Sequence, residues 1–219
     1  MTGLLRYQSV LLLRSHRWIG PLLLYAAFLA AGVRPGDPLL DSLGFAAAGL
    51  VPITAWLVRI CVTNEPDAAR DCAAAAAGPV RVHAAALLTA LGGALLAGTV
   101  GTAVVLLIGD PRTVEHVEPE EAALAGVLAL LACTLTGAAV GALCSRPLLR
   151  STGVAVLAGA LGSLLAWGIA GSPARSAVTA LVEGSRAHTV TLPVTACAGA
   201  LVLACAAGAV ACLVSARRG

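Results

Sequence analysis

Apolar residues in this chain come in long runs that charge interrupts at only a few places. Six runs approach the ~20 residues a helix needs to cross a bilayer. They lie at about 18–33, 42–62, 82–108, 122–144, 152–170 and 194–215. A helix satisfies its own backbone in lipid, so the expected fold class is an all-α membrane protein with six transmembrane helices. The first run is short, with Trp18 and Tyr25 to place it. The last is mostly Ala, Gly and Cys, which insert weakly, so it should lean on its neighbours.

The breaks between runs have patterns of their own. In 1–17, Leu4, Leu5, Leu11 and Leu12 recur at helical spacing while Arg6, Arg14 and Arg17 fall largely elsewhere. This fits an amphipathic helix on the membrane surface or the charged flank of the first span. The stretch 59–81 carries both signs of charge and reads as a helix of its own. Asn64 can cap it, Pro66 suits its first turn, and Asp67 sits three residues after the cap. Glu65 and Asp67 favour the positive end of the helix dipole. The run Ala73 to Ala77 continues it and Gly78-Pro79 stops it. It is either a docking helix or a solvated connecting loop. Between the last two runs, 171–193 offers Ser172-Pro173 as a helix start and Gly184 as a stop. Ala177, Val178, Ala180, Leu181 and Val182 give it an apolar surface, fit for an interfacial helix or one that dips back in. A plain loop is the alternative.

Composition supports the membrane reading. The chain is 59% apolar and 11% charged, against ~25% charge in soluble domains. It has fourteen arginines and no lysine, with abundant Ala and Gly, which points to a biased source genome. Even-numbered spans return the chain to its starting side. That side holds ten arginines and the other four, namely Arg34, Arg112, Arg175 and Arg186. The asymmetry places both termini in the cytoplasm of a multi-pass protein of the cell membrane. Arg14, His16 and Arg17 interrupt the first apolar run, so no cleaved signal peptide is expected. No pair among the seven cysteines lies in a segment assigned to the outside, so no disulfide framework is expected.

The chemistry is sparse. Without lysine, a GxxxxGK[ST] phosphate loop cannot exist, and no GxGxxG opens a helix. No Cys/His group has metal-ligand spacing. Glu120-Glu121 resembles the start of an intramembrane protease motif, but no arginine or histidine pair completes it. No acid or lysine lies mid-membrane, which argues against an ion-coupled carrier. Arg59 and His83 sit near span ends, where they can reach water. Thr54, Thr89, Thr99, Thr102, Thr134, Thr136 and Ser163 should each bond their own helix or a neighbour. Gly98/Gly101, Gly137/Gly141 and Gly159/Gly162 permit close helix contact. Pro52 should kink its span. Nothing here points to an enzyme or to nucleic acid.

The layout, with residues 63–81 (TNEPDAARD, an Ala-rich run, then GPVR), resembles the membrane subunits of type-2 ABC exporters. The resemblance covers the whole chain in layout and individual residues only over about 64–81. It implies a single permease domain over 1–219, with a surface helix at 1–17, a coupling helix at 63–81 and an outer helix at 171–193. It also implies a separate ABC-type ATPase that binds the ATP and docks on the coupling helix, leaving this chain no cofactor of its own. A second membrane subunit, identical or related, would complete the pathway in the bilayer. The coupling residues implied are Glu65, Asp67, Arg70 and Asp71. By analogy Phe45, Pro52, Thr54, Leu157, Leu161 and Trp167 would line the pathway for an apolar or amphipathic substrate: a peptide, lipid or drug-like compound. The loop at 145–150 is very short, a departure from the family's second coupling contact. A helical scaffold or assembly protein is the alternative from a different class.

Overall fold

Apolar runs of this length leave the backbone one economical solution, and the chain takes it. The computed structural model describes residues 1–108, 119–146, 148–149 and 151–218. Among these it forms helices and no strand: α1 (Thr2–Ser15), α2 (Ile19–Gly32), α3 (Leu39–Thr63), α4 (Asp67–Ala77), α5 (Pro79–Ile108), α6 (Pro119–Leu143), α7 (Thr152–Gly168), α8 (Pro173–Ala187) and α9 (Val194–Arg218). The acids Asp110, Glu115 and Glu118, together with Arg112, Pro147 and Arg150, lie outside the described residues.

Helices α3, α5, α6 and α9 are each long and apolar enough to cross a membrane. The fifth and first expected spans differ from this. Helices α7 and α8 pass that test only as a pair, joined through a 44° bend. The break spans 169–172, between the end of α7 at Gly168 and Pro173, which opens α8 as its first residue. Helix α2 has only 14 residues, or about 21 Å of rise, because Arg34, Pro35 and Gly36 interrupt it. Among the described residues there are therefore four helices that could cross a membrane by length and composition, or up to five with the bent pair.

Helix α3 is the centre. Leu43, Leu50, Val51, Ile53, Leu57 and Val58 are all essentially inaccessible. Glycines on α6 let it lie close and parallel to α3: Gly126 sits under Leu43, Gly137 under Val51 and Thr54, Gly141 under Ala55 and Val58. A Cβ at Gly137 would lie 2.5 Å from the Val51 carbonyl oxygen, so this seam requires glycine. Helix α9 joins α6 through Ala207 and Ala211 against Ala139 and Ala142. On α2, the Tyr25 hydroxyl donates to the Ala46 carbonyl at 3.0 Å, and Phe28 stacks on Phe45 at 4.1 Å. Helix α3 runs through Pro52 as one assigned helix.

Helix α8 replaces the plain-loop alternative. It buries Ala174, Ala177, Leu181 and Gly184 and exposes Arg175, Glu183 and Arg186. Arg175 donates to the Gly168 carbonyl at 2.7 Å, satisfying the end of α7. The hydroxyl expectation holds at Thr89, Thr134, Thr136 and Ser163, each donating to the carbonyl four residues earlier, and at Thr99, which donates to Leu96; it fails at Thr54, whose hydroxyl has no partner among the described residues. His83 differs from its expectation. It is 3% exposed with Nε2 unpartnered among the described residues, because the elements packed against α5 cover it instead of letting it reach water.

Candidate functional site

The candidate site is the turn from α3 into α4 and what packs around it. Helix α4 begins at Asp67, not after Asn64, and Pro66 is its N-cap residue. A residue before proline is disfavoured in helical geometry, so Glu65 cannot lie in the helix and the start moves past Pro66. Asn64 is thereby released from capping, and its Nδ2 donates to the Leu11 carbonyl of α1 at 3.1 Å. The stop is as expected. Gly78 has φ of 88°, a region that favours glycine, and its N–H donates to Ala74 at 2.8 Å. Helix α5 starts at the next residue, Pro79.

The four expected coupling residues divide into two pairs. Glu65 is 6% exposed, covered by α1. Its Oε2 accepts from Gln8 Nε2 at 3.2 Å. Its Oε1 has no partner among the described residues. Burial, then the nearby Glu65 carboxylate, push the Tyr7 hydroxyl above its ordinary range. Arg70 also turns inward: Nη2 donates to the Val62 carbonyl at 2.8 Å, satisfying the end of α3. Arg70 and Asp67, three residues apart on α4, therefore do not pair. Asp67 instead meets Arg146, beyond the end of α6, at 3.1 Å, with side chains 78% and 45% exposed. A pair this open contributes about 0–1 kcal/mol. Asp71 is exposed too. Glu65 and Arg70 thus brace α4 against α1 and α3, while Asp67 and Asp71 face outward.

The expected pathway residues do not share one surface. Phe45 is half-buried against Phe28. Thr54 is fully buried over Gly137, its hydroxyl without a partner among the described residues, so within this chain it faces α6 and not an open pathway. Leu157 and Leu161 point outward from α7, and Trp167 packs half-buried against the core. Pro52 is exposed in a groove between α3, α6 and α7.

Tyr7 and Gln8 escaped the sequence reading. The signal was present: Gln8 sits between Leu4 and Leu12 on one i, i+4 row of an otherwise apolar helix face. Among the described residues no three His, Cys, Asp or Glu side chains gather to hold a metal, and all seven cysteines are free. No protein-family model, curated protein or solved structure matches the chain.

Proposed function

We propose that this chain is the membrane-spanning permease subunit of an ATP-driven exporter, docking a separate ABC-type ATPase on α4. One observation carries the reading. Asp67 and Asp71 are exposed one turn apart on a helix that is itself braced inward by Arg70 and by the Glu65–Gln8 contact. Arg146 answers Asp67 within the chain, which leaves Asp71, without an ion pair among the described residues, as the carboxylate that a basic cleft on a partner would meet. A push on α4 would reach α3 through Arg70 and α5 through Gly78-Pro79. In this reading α2 and the bent α7–α8 pair complete six passages, and α1, α4 and both termini share the cytoplasmic side. A second copy or relative would complete the pathway, and the substrate would be apolar or amphipathic.

Co-purification tests this. Asp71→Lys leaves the Asp67–Arg146 pair intact and should abolish retention of the ATPase, because like charges across an interface cost several kcal/mol. Expression and melting should stay unchanged. Undiminished retention by this variant and by Asp67→Lys/Arg146→Glu would remove α4 as the docking element and leave the scaffold reading.

A further inference from the structure

Two cavities meet at Trp56 and Arg59. One is a cleft of about 640 Å³ between the end of α3, the start of α4 and the start of α7. Its walls include Arg17, Arg59, Arg146 and Thr152. The other is a groove of about 320 Å³ between α3, α6 and α7, walled by Pro52, Val156, Gly159 and Ser163 among others. Trp56 and Arg59 line both, so the charged cleft and the apolar groove lie side by side at these two residues, a headgroup site next to a slot for a chain. Each volume lies in the ~300–1,000 Å³ range of ordinary ligand sites.

The charges in the cleft are unequal. Its walls carry Arg17, Arg59 and Arg146 against two carboxylates: Asp67 is engaged by Arg146, and Glu65 is turned to Gln8 on α1 through Oε2, its Oε1 without a partner among the described residues. The guanidinium groups of Arg17 and Arg59 make no ion pair or hydrogen bond among the described residues. Thr152 brings the first turn of α7 to the cleft, and helix N-termini favour negative charge. Below Arg59 the groove has little to bond: the Ser163 hydroxyl is already satisfied by the Gly159 carbonyl at 2.8 Å. Trp56, 43% exposed, stands at the junction, where an amphipathic ring suits the headgroup level of a bilayer. By contrast, the groove of about 490 Å³ between α2 and α5 has no charged residue in its walls to meet a headgroup.

We propose that this junction is a binding site for an anionic phospholipid, its headgroup on Arg17 and Arg59 and one acyl chain in the α3–α6–α7 groove. The site goes beyond the transport reading and does not depend on it: loss of ATPase docking would leave it untouched.

The test uses the full chain in neutral detergent with Trp18→Phe and Trp167→Phe, leaving Trp56 as the one tryptophan of three. Phosphatidylglycerol and phosphatidylcholine with brominated acyl chains are titrated in. Phosphatidylglycerol should quench Trp56 at a several-fold lower mole fraction. Each of Arg17→Gln and Arg59→Gln should weaken it by about fivefold, bringing the double variant toward phosphatidylcholine. Gly159→Leu fills the groove at a position where an added Cβ would meet only Cys144 at 4.0 Å. It should reduce quenching by the brominated chain. Equal quenching by the two lipids, or unchanged preference in the arginine double variant, would overturn the proposal. So would full displacement by inorganic phosphate, which would make the cleft a free-anion site, or undiminished quenching in Gly159→Leu. Should the tryptophan variant not fold, native mass spectrometry of the unmodified chain with the same lipids and arginine variants separates the same outcomes.

Discussion

Helices α3 and α9 are each 25 residues long and strongly apolar, yet they live in different surroundings. About 72% of the most apolar stretch of α3 is buried in the protein, against 17% for α9, although α9 is the more hydropathic. In a bilayer this inversion has a plain cause. Lipid tails accept apolar side chains as readily as a protein core does, so hydropathy decides that a helix enters but not whom it packs against. Packing is decided by shape. Helix α3 is met by Gly126, Gly137 and Gly141 on α6 and by Gly98 on α5. Helix α9 offers alanines to α6 on one side, while Leu201, Val202, Val210 and Leu213 face away.

Matched glycine substitutions would break this comparison most sharply. Gly137→Leu on α6 drives a side chain into the Val51 backbone and should destabilise by about 3 kcal/mol or more. Gly208→Leu on α9 meets only Leu87 at 4.0 Å and should stay within ~0.5 kcal/mol. Melting in neutral detergent reads both, and equal losses would show that the α3–α6 seam is no tighter than the α9 surface.

A second variant asks whether α1 is held by chemistry as α3 is held by shape. Glu65→Ala strands the Gln8 amide and should cost about 1–3 kcal/mol. Limited proteolysis should then cut first in α1. Unchanged α1 protection would mean that Asn64 and apolar contacts alone secure it.

The smallest effect has the opposite sign. Thr54 is the buried α3 position whose hydroxyl lacks a partner among the described residues. Thr54→Val keeps the shape and removes that desolvated group, so melting should stay level or rise by up to ~1 kcal/mol. Thr134→Val, which deletes a bond to Leu130, supplies the control, and a clear loss at Thr54 would reveal a polar partner for it.

How much of this could be read beforehand follows from the range of each interaction. The four long helices were legible because run length alone specifies them. The fifth run was read two residues past the end of α7, since an apolar count runs on through Ile169 and Ala170, where the backbone has already left the helix, whereas α2 falls within the short run expected of it. The end of α4 was legible because Gly78 acts locally. Its start was not, because Asn64 answers to Leu11, 53 residues away. Glu65 has the same difficulty: its neighbours in sequence reveal a charge beside a proline, not the helix that covers it. The glycine seam was invisible for another reason. In a chain rich in glycine, Gly137 looks no different from Gly92 and Gly93, where an added Cβ meets nothing within 4 Å.

Docking on α4 is the central claim, and Cys72, exposed on that helix beside Asp71, reports on it directly. With the other six cysteines replaced by alanine, a membrane-impermeant maleimide should label Cys72 only from the side that carries the termini. Saturating ATPase should slow that labelling by tenfold or more. Labelling from the opposite side, or an unchanged rate with the ATPase bound, would contradict the account.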